Sequence, residues 1–204
     1  MAEERANKIS NCGSDEGGGI SGGQAGAQTK GEYVVKDWYN KPWDIVLRYN
    51  GENAEKVRRT IANIAILAAN NENIGYDQGQ RDTFFSQLKK ANYDPSKITT
   101  PCETDCSAST SAVIIAAGYQ CNNQKLQKIN SGNTTWTLSD SLRAVGFVGY
   151  TDSKYTGSWD NLIPGDVLLN VSHHVCIFVG DGKVNGKVGA ATGSLNMQQA
   201  ISLL

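Results

Sequence analysis

From Asn53 to Gly146 the apolar residues recur at helical spacing, and from Phe147 onward they fall into short β-like runs. That change of period restricts the fold more than any other feature of the chain. Over 53–70, Val57, Ile61, Ile64, Ala65, Leu67 and Ala68 line one face opposite Glu55, Arg58 and Arg59, the pattern of an amphipathic helix. A second helix is predicted from about 78 to 91, with Phe84, Phe85 and Leu88 inward, and Asp94-Pro95-Ser96 turns the chain after it. Small residues after Cys106 lead into Val113-Ile114-Ile115-Ala116-Ala117, a buried helix with Gly118 as its expected stop. Thr137-Leu138-Ser139-Asp140 fits a further helix start, ending at Gly146. Strands are predicted at 147–150, 166–170 and 174–179, the last meeting Gly180-Asp181-Gly182-Lys183, a hairpin signal before Val184. Helices first and strands second predict an α+β fold, with N-terminal helices packed on a C-terminal antiparallel β-sheet.

A chain of 204 residues has room for one good core plus an extension. Residues 1–31 hold Gly17-Gly18-Gly19 and Gly22-Gly23 and almost nothing apolar, so they read as a flexible arm ahead of a folded domain over 32–204. That domain opens on an aromatic lead-in at 33–49, where Tyr33, Trp38, Tyr39 and Trp43 fall close together. Aromatics at this density form core or a docking surface, with a sugar- or peptide-binding shelf as the functional alternative. Lys+Arg total 19 against Asp+Glu 20, with no basic stripe, which argues against nucleic acid as a partner. No apolar run approaches a membrane span, and Met1 to Ser10 lacks the apolar centre of a signal peptide, so neither membrane insertion nor classical secretion is expected.

Five cysteines, Cys12, Cys102, Cys106, Cys121 and Cys176, leave at least one thiol unpaired, and the two histidines, His173 and His174, are adjacent. Any chemistry that needs imidazole must use one of those two. Cys106 stands at the junction between a loop and a helix, among unpaired backbone N–H groups that are expected to lower its pKa and favour thiolate. A cysteine nucleophile needs a base, and the base needs a third polar group to orient it. His174 opens a strand 68 residues later (174 − 106), and alternation puts its ring on the face of Cys176 and Phe178, whereas His173 precedes the strand. His174 is therefore favoured as the base, paired with Cys106 in a resting thiolate–imidazolium. Asp105 reads as a helix cap and Asp166 as a turn residue. The alternatives are a zinc site built from Cys102, Cys106, Cys176 and a histidine, or a cell-wall binding or structural module in which Cys106 is merely buried.

Three motifs in order carry a family resemblance: Asp105-Cys106-Ser107, then Pro164-Gly165-Asp166-Val167-Leu168-Leu169, then His174-Val175-Cys176-Ile177-Phe178-Val179-Gly180-Asp181-Gly182-Lys183-Val184. Together they resemble the NlpC/P60 branch of the papain-like, CHAP-related cysteine peptidases. Trp38-Tyr39-Asn40-Lys41-Pro42-Trp43 and Asn73-Ile74-Gly75-Tyr76-Asp77-Gln78 further resemble phage and prophage cell-wall amidohydrolases. The resemblance implies a papain-like catalytic domain over 32–204 that cuts an amide bond in the peptide stems of bacterial peptidoglycan, typically after D-glutamate, without cofactor or metal. It implies Cys106 as nucleophile and His174 as base. The family's third position, about twelve residues after the base, falls on Gly186, which leaves Asn185 and Asn170 as orienting candidates. The Cys106 backbone N–H and Tyr76 are candidate oxyanion donors. A phage-type release to the wall, or otherwise a cytoplasmic location, is the corresponding expectation.

Overall fold

The computed structural model describes residues 6–25, 31–184 and 187–188. Its elements run β1 (Lys8–Cys12), β2 (Tyr33–Asp37), β3 (Ile45–Tyr49), α1 (Ala54–Ala69), β4 (Ile74–Tyr76), α2 (Thr83–Lys90), β5 (Cys102–Thr104) and α3 (Cys106–Gln120). They continue as α4 (Leu138–Arg143), β6 (Phe147–Tyr150), α5 (Ser153–Thr156), β7 (Val167–Asn170), β8 (His174–Phe178), β9 (Lys183–Val184) and β10 (Lys187–Val188). The main sheet has six antiparallel strands in the order β2-β1-β8-β7-β3-β6, so the fold is α+β. A small parallel pair, β4 with β5, stands apart from it.

Half of that sheet, β1 to β3, comes from residues ahead of the first helix. The glycine-rich segment, expected to be a flexible arm, contributes β1, which lies between β2 and β8. Its Ser10 hydroxyl donates to the Ala65 carbonyl of α1 at 2.9 Å, which fastens the strand to the helical layer. The hairpin expected after Phe178 does not pair back on β8. One edge of β8 is taken by β7 and the other by β1, and the Gly180 and Gly182 N–H groups donate to Lys8 and Ala6 carbonyls instead. Gly118 does not stop α3, which runs on to Gln120. A Cβ at Gly118 would lie 2.8 Å from the Gln127 nitrogen and the Leu126 Cβ, so glycine there serves close packing of the following turn.

One face of the sheet packs against α1 and α3. Leu47, Tyr49, Val167, Leu169, Val175 and Ile177 join Ile61, Ile64, Val113, Ile114 and Ile115 in a single buried cluster. Helix α3 is buried from Cys106 to Gly118, which is why its sequence shows no polar stripe. The opposite face holds Ile9, Val46, Leu168, Cys176 and Phe178, roofed by Trp43 with Trp38, Tyr39, Tyr150, Tyr155 and Trp159 packed alongside. The aromatic lead-in is thus mainly cover for the second face of the sheet. Asp166 is fully buried and accepts two hydrogen bonds from Arg48, at 2.8 and 2.6 Å, plus the Ile163 N–H at 2.9 Å, which settles it as a turn anchor. Gly165 before it has φ +87, and a Cβ there would meet the Arg58 carbonyl oxygen at 2.4 Å. Among the described residues no helix is long and apolar enough to cross a membrane.

Candidate functional site

Cys106 is the first residue of α3, delivered there by the short pairing of β5 with β4. Asp105 caps the helix, its Oδ1 accepting the N–H groups of Ser107 at 2.9 Å and Ala108 at 2.8 Å. Arg81 holds the cap in turn, donating to Asp105 Oδ1 at 3.1 Å, the Ser107 hydroxyl at 3.0 Å and the Asn133 carbonyl at 2.7 Å. The sulfur receives the backbone N–H groups of Ser107 and of Val175. It therefore lies against the peptide unit that joins His174 to Val175. Burial, followed by the Asp105 charge, pushes the thiol up to about 11, against the pull of those two N–H groups and of Arg81. The sequence-based expectation of a thiolate is reversed here. A helix terminus is worth about 0.3–1 kcal/mol at an exposed site, less than the desolvation of a charge as buried as this one.

His174 shares its face with Cys176 and Phe178, as strand alternation requires, and its ring lies 6.2 Å from that of Trp43. Its Nε2 is 2.8 Å from Asn11 Oδ1, and the Tyr39 hydroxyl donates to the same oxygen at 3.3 Å. An amide oxygen only accepts, so Nε2 carries the proton and Nδ1 keeps the lone pair. Burial, with Lys41 and Lys36 nearby, brings the imidazole down to about 4. At neutral pH the resting groups are thus a thiol and a neutral imidazole rather than the ion pair expected from sequence. Asn170, opposite His174 in the register of β7 and β8, gives its side-chain N–H to the Pro42 carbonyl, while its buried Oδ1 has no partner. Asn185 lies outside the described residues. The residue that meets His174 is Asn11, which the sequence reading passed over. Its only signal was the alternation of Lys8-Ile9-Ser10-Asn11-Cys12 inside a glycine-rich segment.

A cavity of about 280 Å³ opens onto Cys106, walled by Gln78, Arg81, Asp105, Ser107, Thr134, Thr135, Ser172 and His173. The wall thus includes the exposed His173 rather than His174. Tyr76 is buried at 3% exposure, and its hydroxyl accepts from Gln78 Nε2 at 3.2 Å. Gln78 is the group that reaches the cavity, with Tyr76 behind it. The five cysteines are all unpaired. Among the described residues no group of three or more His, Cys, Asp or Glu is placed to hold a metal ion, so the cysteines and histidines do not assemble the zinc set considered above.

Three residues before Cys106, Glu103 is fully buried and neither carboxylate oxygen has a hydrogen-bond partner. Burial and the charges of Glu32, Asp77, Glu16 and Asp15 raise it to about 7. Glu32 is raised as well, chiefly by burial, although its Oε2 accepts the Tyr76 N–H at 2.8 Å. Because Glu103 keeps its proton longer in the folded state than in the unfolded chain, it lowers stability as pH rises from about 4.5 to about 7, and the loss persists above that. Glu103→Gln is expected to raise the melting temperature at pH 8 by roughly 3–6 °C and to leave it unchanged near pH 4.5. A difference that does not vary with pH in thermal melts would show that the carboxylate is not ionising in place.

A family model described as an Endolysin-like domain matches residues 9–185, a span that takes in Asn11, Cys106 and His174. No curated protein and no solved structure matches the chain.

Proposed function

Because the chain belongs to the endolysin-like domain family, a description that points to cell-wall hydrolysis with peptidoglycan as substrate, we propose that it cuts an amide bond in the peptide stem with Cys106 as nucleophile, His174 as base and Asn11 as the group that holds the imidazole. Two contacts on the same strand segment carry this reading. Asn11 meets His174 Nε2 at 2.8 Å, and the peptide unit following His174 meets the Cys106 sulfur. Within the family, the ordered motifs around Cys106, Gly165 and His174 favour the NlpC/P60 type, and Cys-His-Asn is the set used by papain-like peptidases.

In this mechanism the stem peptide enters the cavity above Cys106. The thiol proton passes to His174 Nδ1 as the sulfur attacks the scissile carbonyl, so an S–C bond forms and the carbonyl oxygen takes the negative charge. The first N–H of α3, that of Cys106, and the side-chain amide of Gln78 are the donors suited to that oxygen, with Tyr76 holding Gln78. Collapse of the intermediate breaks the C–N bond, and the imidazolium returns its proton to the departing amine. Water then attacks the thioester, giving a proton to the imidazole; the S–C bond breaks, the carboxylate is released and the imidazolium returns its proton to the Cys106 sulfur. Asn11 keeps Nε2–H engaged throughout and so leaves Nδ1 as the nitrogen that accepts the proton.

Asn11→Ala is expected to lower kcat by on the order of 10- to 100-fold, the range seen for groups that orient a functional imidazole. Asn11→Asp is expected to move the acid limb of kcat/KM to higher pH, because a carboxylate favours the imidazolium. An unchanged kcat in the alanine variant would remove Asn11 from the site. A second reading, His173 as base, is favoured by its place in the cavity wall, and the paired histidine substitutions below decide between them. Mass spectrometry of digested, purified peptidoglycan tests the reaction type. New amino and carboxyl termini are expected. New reducing sugar ends without them would replace the amidase with a glycan-cutting enzyme, and intact peptidoglycan with bound protein would favour a binding module.

A further inference from the structure

We propose that Trp136 is a stacking platform for the glycan strand of peptidoglycan, at the rim of the Cys106 cavity. This deepens the amidase reading above and rests on it for the direction in which the stem peptide enters. Of the four tryptophans, Trp38, Trp43 and Trp159 are packed on the second face of the sheet, whereas Trp136 is 70% exposed. A single exposed aromatic is ordinary on a protein surface. What distinguishes this one is where it stands and how firmly it is held.

Trp136 follows directly on Thr134 and Thr135, which form one wall of the cavity. The turn that carries it is fixed from below by Asn133, which is 2% exposed. The Asn133 amide donates to the Asn130 carbonyl at 2.8 Å, the Ser141 hydroxyl at 3.0 Å and the Ser111 hydroxyl of α3 at 3.4 Å. Its Oδ1 accepts the Thr137 hydroxyl at 3.1 Å, and Thr137 in turn accepts the Thr134 N–H at 3.0 Å. The Arg81 guanidinium that steadies Asp105 and Ser107 at the start of α3 also donates to the Asn133 carbonyl. One side chain thus couples the exposed indole to the helix start that presents the nucleophile. The turn that carries the indole is thus well bonded, so little backbone order remains to be imposed when a ligand arrives.

The ligand class follows from the size and chemistry of the neighbouring surface. At about 280 Å³ the cavity lies at the lower end of the range for small-molecule sites, so it admits a short length of stem and not the polymer. Its Gln, Arg, Thr and Ser lining suits amides and carboxylates. The glycan from which the stem hangs must then lie across the rim. A pyranose ring offers one face of C–H bonds to an aromatic while its hydroxyls and acetamido groups stay in water, so it needs an exposed indole on a well-held turn and no deep pocket. Trp136 supplies that, and its N–H remains available at the edge of the ring.

The test compares Cys106→Ala with Cys106→Ala/Trp136→Ala in co-sedimentation with purified sacculi, and the parent with Trp136→Ala and Trp136→Tyr in cleavage of sacculi and of a glycan-free stem peptide. Removing the indole is expected to weaken sacculus binding about tenfold and to raise KM on sacculi by a similar factor, with kcat and the rate on the free peptide unchanged. Tyrosine is expected to restore most of the loss. Equal binding of the two Cys106→Ala proteins overturns the proposal. Equal loss on both substrates overturns it as well, since that places Trp136 on the peptide. The binding comparison needs no catalysis, so a failure of the amidase reading leaves its result standing.

Discussion

Cys106→Ala is expected to abolish the release of amino groups from purified peptidoglycan, a fall of about 10⁴-fold or more, because the covalent route disappears with the sulfur. The side chain is small and stands at the start of α3, and that helix start is held by Asp105 and Arg81 through backbone and neighbouring groups that the substitution leaves in place. Far-ultraviolet circular dichroism and thermal melting should therefore match the parent, so that lost activity reports chemistry rather than fold. Activity retained by a folded Cys106→Ala protein would sink the nucleophile assignment, and with it the whole thiol mechanism.

The second large effect is expected at the histidines. His174→Ala should lower kcat by about 10²- to 10⁴-fold, the span typical of a lost general base, while His173→Ala leaves kcat nearly unchanged. The two positions differ in kind. His174 is buried, bonded to Asn11 and held down to about 4, so it stays neutral and able to accept a proton across the whole neutral range. His173 is exposed at the cavity wall. A reversed order of losses would make His173 the base and turn His174 into a structural histidine beneath the site. Stability offers an independent check. In the unfolded chain the imidazole protonates near 6.5 and in the folded protein near 4, so stability falls as pH drops through that interval. His174→Ala should flatten that fall, whichever residue performs the catalysis.

Reading the chain alone located α1 and the strands at 147–150 and 174–178 to within a residue or so, because an amphipathic period and a turn signal are written in adjacent residues. It placed Cys106 at a helix start and Asp105 as its cap for the same reason, and Asp166 as a turn anchor. It read Gly118 as a stop, since a glycine that ends a helix and one that admits a neighbouring turn look alike until the neighbour is known. The thiolate expectation reversed on a similar ground. The helix start is local and visible in sequence, whereas the burial that outweighs it depends on what covers the sulfur.

The N-terminal segment marks the boundary most sharply. Its glycines and lack of apolar residues describe a chain with little drive to fold alone, and a single alternating stretch, Lys8–Cys12, gave scant sign of a strand. In the folded protein that stretch lies between β2 and β8, and its Asn11 reaches a histidine 163 positions away. By itself the sequence determined the α+β class, the helix that presents Cys106 and the strand that presents His174, all products of forces acting over a few residues. Tertiary structure decided the partner of the imidazole, the histidine that faces the cavity and the resting protonation of the pair. Each of these depends on which strands lie side by side and what they exclude from water, and that is settled only when distant segments pack together.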